Sequence, residues 1–206
     1  MTRHEYANLI IRQTGAKSYL QIGSARGLDE VTCPVKRSVH EPADAPTGLF
    51  DVVVVDPPMD AARAAFALQV GFERLALKGV LLVANVAPSE AWQQEVPPSA
   101  GVQLGQVWRT WIACIAGCLD RAFTLDEDHG LGVYLHVGPA PEARVSALSF
   151  EEYAASRAEA LRLVREVEAG DLLKRVLWPA PTQPDEPVAP APDLAPPAPR
   201  KKRRDR

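Results

Sequence analysis

Residues 18–27 read SYLQIGSARG. Tyr19, Leu20, Gln21 and Ile22 have the makings of a short buried strand. The run breaks at Gly23, and a second glycine follows at Gly27. A strand that feeds a glycine-containing turn and then a helix is how doubly wound α/β proteins open a ligand site. Glycine lets the backbone turn tightly and come close to a ligand that a Cβ would push away. The ligand then lies beyond the carboxyl end of the strand, where the strand order reverses. The same spacing also suits an ordinary strand–helix connection, so the rest of the chain decides between the two.

The clearest strand is 50–56, FDVVVVD. Four valines in succession suit a strand buried on both faces, as in a parallel sheet, and Pro57 and Pro58 end it. Residues 80–86, VLLVANV, read as another buried strand. Between them 59–76 is helical, with Phe66, Val70 and Leu75 as its apolar positions among many alanines, and Lys78-Gly79 turns the chain. Ahead of the glycine turn, Tyr6, Leu9, Ile10 and Ile11 recur at helical spacing over 3–15. Residues 36–40 form a second strand, and the segment from there to Phe50 is too short for a full helix and strand. Residues 106–119 are helical and rich in Trp, Ile and Cys. Residues 121–125 and 132–137 form a pair of strands across a polar loop, which predicts an antiparallel hairpin at the sheet edge.

These elements predict an α/β chain: a Rossmann-like, mostly parallel sheet flanked by helices, with a terminal antiparallel hairpin. The expected division is 1–148 for this domain, 149–178 for a C-terminal helix and 179–206 for a proline-rich tail. The helix is expected over 150–177. Its apolar positions Leu161, Val164, Val167, Leu172, Leu173 and Val176 suit either a homodimer contact or packing on the chain's own sheet.

At 206 residues and 47% hydrophobic content, the chain supports one sizeable core. Net charge is −3, which gives no global reason to expect nucleic acid or a membrane as partner. The charge is uneven, with +2 over 179–206 and −5 over the remainder. Nine of the 19 prolines fall in that tail, a composition that cannot offset its own ordering entropy. It ends in RKKRRDR, which suits a hook for an acidic partner or nucleic acid, or a solubilising end. Cys33, Cys114 and Cys118 are odd in number and sparse, as expected for a reducing cytoplasm. They read as buried thiols, and no metal site is expected. No signal peptide and no membrane-spanning run is expected.

In order, 19–27 (YLQIGSARG), 40–42 (HEP), 50–59 (FDVVVVDPPM), 78–88 (KGVLLVANVAP), 105–109 (GQVWR) and 128–133 (DHGLGV) resemble a class I S-adenosylmethionine-dependent methyltransferase with a shortened middle. More closely, they resemble a bacterial branch that reads Y-L-E-I-G-V-x-x-G, V-D-P, F-D-x-I-F-I-D-G-L-H, G-G-x-I-x-x-H-D-x-x-P, G-D-V-W-K and D-x-G-L-G-V. The resemblance spans roughly 5–137. It implies S-adenosylmethionine as cofactor, with Gly23, Ser24 and Gly27 bordering its methionine and ribose portion. It implies Glu41 accepting from the ribose hydroxyls, a role that fits because two adjacent hydroxyls match a bidentate carboxylate. Asp56 would face the reactive end as a cofactor-binding and catalytic residue; an aspartate there also suits the N-cap of the following helix. The acceptor is expected to be a small molecule or a sugar-like substrate.

The departures concern polar groups. The family's glutamate after Y-L is Gln21, the histidine of D-G-L-H is Met59, the H-D pair is Ala84-Asn85, and the aspartate of G-D-V-W is Gln106. Asp56 and Glu41 alone keep their charge, with His129 the remaining candidate base. Methyl transfer to a good nucleophile runs on proximity and in-line orientation, whereas a hydroxyl or amide acceptor needs a base. Two alternatives follow. One is a degenerate methyltransferase-like binding or scaffold module. The other is a nucleic-acid amino-methyltransferase using Asp56-Pro57-Pro58, in which Met59 stands where an aromatic would stack on the base. Trp92, Trp108 and Trp111 are expected near the site, Trp108 as a wall and Trp111 in the core.

Overall fold

The computed structural model describes residues 1–97, 103–118, 120–127 and 129–164. Helix α1 (Arg3–Thr14) leads into strands β1 (Ser18–Gly23), β2 (Val35–Val39) and β3 (Phe50–Asp56). Helix α2 (Ala61–Glu73), strand β4 (Leu75–Val83) and helix α3 (Val107–Ala116) follow. Strands β5 (Ala122–Leu125) and β6 (Leu131–Leu135), short helices α4 (Phe150–Ala155) and α5 (Arg157–Ala160) and strand β7 (Leu163–Val164) complete the described part. The strands form one sheet in the order β2-β1-β3-β4-β6-β5-β7. The first four are parallel, and β6 runs antiparallel to both β4 and β5. The Rossmann-like α/β expectation with its hairpin therefore holds. The hairpin is not the edge, however, because β7 pairs with β5 on the outside.

The valine run explains why the sheet is covered on both faces. Successive side chains of a strand point to opposite faces. Val53 and Val55 meet Leu68 of α2 and Trp108 and Trp111 of α3. Val52 and Val54 meet Tyr6 and Ile10 of α1. All four valines are fully buried, each contributing roughly 1.5–3 kcal/mol relative to exposure. Local signals fix the helix starts. Thr2 and Glu5 form a capping box for α1, which ends at Gly15 in the left-handed conformation. Asp60 caps α2 by accepting from the Arg63 N–H at 2.9 Å, so Asp56 does not serve as that cap.

The β1–β2 connection holds only the short 3-10 turn Leu28–Glu30. The structure corrects three other expectations. Lys78-Gly79 does not separate helix from strand, because β4 already begins at Leu75. Phe66 is 52% exposed and does not join the core. The single helix expected over 150–177 is interrupted in its described part. Leu163 and Val164 pair with Thr124 and Leu125 instead, since the open edge of β5 offers hydrogen bonds that an isolated helix turn does not. Leu161 is buried in the chain's own core. Val167, Leu172, Leu173, Val176 and the basic tail lie outside the described residues.

Asp51 ties the start of β1 to β3. Its Oδ2 accepts from the backbone N–H of Lys17 (2.8 Å) and of Ser18 (3.0 Å) and from the Ser18 hydroxyl (2.9 Å). Burial alone would push the Asp51 carboxyl up, but these three donors outweigh it and hold the carboxyl below its usual value. A depressed folded value places the stabilisation above the unfolded carboxyl range and removes it as pH falls through the folded value. Asp51→Asn is therefore expected to unfold at lower urea than wild type at pH 7. The gap should close as pH falls below about 4, the ordinary carboxyl value, in urea titrations across pH.

Candidate functional site

From β1 the chain first moves outward to β2 and then back across to β3, so the strand order reverses between β1 and β3. That reversal opens a crevice at the carboxyl ends of the strands, where ligands of open α/β sheets bind. A cleft of about 450 Å³ lies there, bordered by Gly23, Ser24, His40, Glu41, Asp56 and Met59 among others. It draws on the carboxyl ends of β1, β2 and β3 together. Four of the five residues expected at the site thus share one cavity. The fifth, Gly27, does not border it: a Cβ at Gly27 would sit 2.1 Å from the His4 ring. Gly27 makes room for α1.

Gly23 is where the approach is closest. It pairs in register with Asp56 and has φ +104, and a Cβ there would stand 2.0 Å from the Asp56 carbonyl oxygen. Only glycine meets both demands. Asp56 is half-buried. Its Oδ2 accepts from Arg3 Nη2 at 3.0 Å and its Oδ1 from Asn85 Nδ2 at 3.4 Å. Asn85 follows β4 with φ 64, a left-handed conformation that asparagine tolerates better than most residues. An aspartate paired with a guanidinium is a fixed negative charge and a weak proton acceptor.

Glu41 stands at the rim, half exposed, 3.7 Å from Arg63 Nη2 and 3.9 Å from His40 Nε2. Exposed pairs of this kind contribute little to stability, so the carboxylate is available to a ligand. Beyond it a narrower slot of about 250 Å³ continues, lined by Pro42, Pro58, Ala62, Arg63 and the exposed ring of Phe66 beside Glu41. The Asp56–Met59 segment is locked from below. The N–H of Gln106 donates to the Met59 carbonyl at 2.7 Å, and Gly105 packs so closely that a Cβ would lie 2.4 Å from Met59 Cα.

The other candidates lie elsewhere. His129 is exposed, and its backbone carbonyl accepts from the Ala87 N–H at 3.0 Å; its side chain does not line the cleft. Trp108 is fully buried against Phe150 and Tyr153, with its Nε1 donating to Gln94 Oε1, so it is a core residue and no cleft wall. Trp111 is core as expected, donating to the Thr124 hydroxyl at 2.7 Å. Trp92 lies on the 3-10 turn Ala91–Gln94 and does not line the cleft. Among the described residues no cluster of His, Cys, Asp or Glu suits a metal, and no helix is long and apolar enough to cross a membrane.

Sequence reading missed Arg3, Arg63 and Asn85. Arg3 gives no signal because its partner is 53 positions away. Gly27 was expected to border a ligand, and the group packed on it is the His4 ring.

No family model matches the chain, and no curated protein matches it. Solved structures similar to it include an O-methyltransferase from Bacillus cereus in complex with SAH, at 12% identity and TM-score 0.44, covering 65% of this chain and 80% of that one. TomG, an O-methyltransferase from Streptomyces achromogenes involved in tomaymycin synthesis, in complex with SAM, shows 17% identity and TM-score 0.46 over 66% and 80%. The N-methyltransferase NodS from Bradyrhizobium japonicum WM9 shows 14% identity and TM-score 0.41 over 65% and 96%. At such identity and overlap these add nothing to what the chain's own sheet order shows.

The Arg3–Asp56 pair is expected to be energetically coupled, because removing one partner strands a half-buried charge. In a double-mutant cycle of Arg3→Met and Asp56→Asn, the pair should show a coupling of about 1–2 kcal/mol by urea denaturation. Each single change should cost more than its share of the double change.

Proposed function

We propose that the chain binds S-adenosylmethionine in this cleft and transfers its methyl group to a small-molecule acceptor. The observation that carries this reading is the convergence of Gly23, Ser24, Glu41 and Asp56 on one cavity at the strand-order reversal. The residues fit such a group on the chain's own geometry. The missing Cβ at Gly23 lets β1 close on the Asp56 carbonyl, so the backbone of Gly23 and the turn after it border the cavity. Glu41 offers two oxygens to a ribose diol. The slot of Pro42, Pro58, Ala62 and Phe66 beside it offers apolar walls to a planar base. Asp56 supplies a fixed negative charge toward a cationic end. When bound, the cofactor supplies an electrophilic methyl on a sulfonium.

Asp56, expected as the catalytic residue, is better suited to orienting than to taking a proton, because Arg3 holds its carboxylate. No other acid or histidine lining the cleft stands in a buried position: His40 and Glu41 are both solvent-facing. The residues therefore serve transfer by proximity and alignment, to an acceptor that is already nucleophilic at neutral pH. The alternative is a domain that keeps the ligand and has lost the transfer. The Arg3–Asp56 pair and the short β2–β3 connection favour it to the same degree that they remove a base.

Calorimetric titration of the full chain with S-adenosylhomocysteine tests the reading. Saturable binding in the micromolar range, about −8 kcal/mol, is expected. Glu41→Ala should weaken it about tenfold, the loss of one charged hydrogen-bonding group, and Gly23→Val should abolish it. Absence of saturable heat with wild type contradicts the reading.

A further inference from the structure

Gln21 lies at the centre of β1 and is fully buried, an unusual place for a side chain with two donors and an acceptor. Both bonds made by its amide nitrogen are directed at one feature. Its Nε2 donates to the carbonyl of Ser24 and, at 3.2 Å, to the carbonyl of Arg26. Its Oε1 accepts from the Tyr19 hydroxyl at 2.8 Å. The amide orientation follows from this set, since two carbonyls can only accept and so require the nitrogen on their side. Burial pushes the Tyr19 phenol up, with nearby Arg3 opposing, so the hydroxyl stays protonated and remains the donor.

The two carbonyls belong to the turn that follows Gly23, and Ser24 and Ala25 of that turn border the cleft. Within the turn itself the Arg26 N–H donates to Ser24 Oγ at 3.2 Å. A glycine-bounded turn has more conformations open to it than any other segment of the site. A buried amide that fastens two of its carbonyls selects one of them.

We infer that Gln21 is a positioning residue: through the carbonyls of Ser24 and Arg26 it sets the shape of the turn that receives the ligand's non-nucleoside half. The inference rests on the reading of the cleft given above. It explains the departure at this position in a way the resemblance does not. A glutamate here would turn a carboxylate toward two carbonyl oxygens and could make neither bond. Restoring the residue that the resembling family carries should therefore damage this chain's site.

The test compares wild type, Gln21→Glu and Gln21→Met by calorimetry with two probes, S-adenosylhomocysteine and adenosine. Backbone hydrogen exchange of the ligand-free proteins is read alongside. Gln21→Met keeps the length and has no donor, so it stands in should Gln21→Glu not fold. Either variant is expected to weaken S-adenosylhomocysteine about tenfold or more, as two carbonyls of the turn lose the donor that holds them. Adenosine, held from the Glu41 side, should change by less than about threefold, and exchange should quicken over 23–27 but not in β3 or α2. A general structural role would instead weaken both probes alike, and that outcome overturns the inference. Unchanged exchange over 23–27 also overturns it. If wild type binds neither probe, the methyltransferase reading falls, and faster exchange confined to 23–27 would leave Gln21 as the residue that shapes the turn.

Discussion

The structure depends on how closely β1 and β3 come together at their carboxyl ends. Elsewhere along this pair, backbone hydrogen bonds set the spacing and side chains point out to the two faces of the sheet. At the Gly23–Asp56 pair there is no side chain on one strand and a carbonyl occupies the room that a Cβ would need. This contact lets the first strand end flush against the third while the chain leaves for β2. The crevice at the reversal of strand order is then floored by backbone, and Asp56 is presented beside it.

Everything polar in the cleft is arranged around that contact. Arg3 arrives from α1, which the capping box of Thr2 and Glu5 starts at the right point. Its guanidinium makes Asp56 a settled charge. His4, one residue on, occupies the space above Gly27. The first turn of α1 thus backs Asp56 and the glycine turn from behind the cleft, and the second glycine of the opening motif serves packing. Gln21 completes the arrangement from within the sheet. The result is a cavity with charge at its rim and floor, little freedom in its turn and no buried base, which suits alignment better than proton transfer.

Much of the fold was legible because the residues that build it act locally or by period. The four valines of β3 announce a strand covered on both faces, and the covering helices are those that the flanking patterns suggested. The short stretch after Val39 correctly excluded a further helix and strand. Residues that depend on distant partners were not legible. Phe66 has the spacing of a core residue, yet it faces the slot beside Glu41. Leu163 and Val164 read as helix because their pairing partner, the edge of β5, lies far back in the chain. Trp108 was expected near the site as a wall. In the fold it turns inward onto Phe150 and Tyr153, a contact that only the return of the chain at α4 provides. At the site, Gly23, Ser24, Glu41 and Asp56 were named from the resemblance, and the fold brings them to one cavity; Arg3 gave no signal.

The most direct measurement is nuclear magnetic resonance of the full ¹⁵N-labelled chain titrated with S-adenosylhomocysteine. The account predicts saturable shifts centred on the backbone amides of Gly23, Ser24, Glu41, Asp56 and Met59, with α3 and the β5–β6 hairpin little changed. Shifts centred elsewhere, or none at millimolar ligand where even a Kd of about 1 mM would register, would contradict the placement of a ligand site at the β1–β3 reversal.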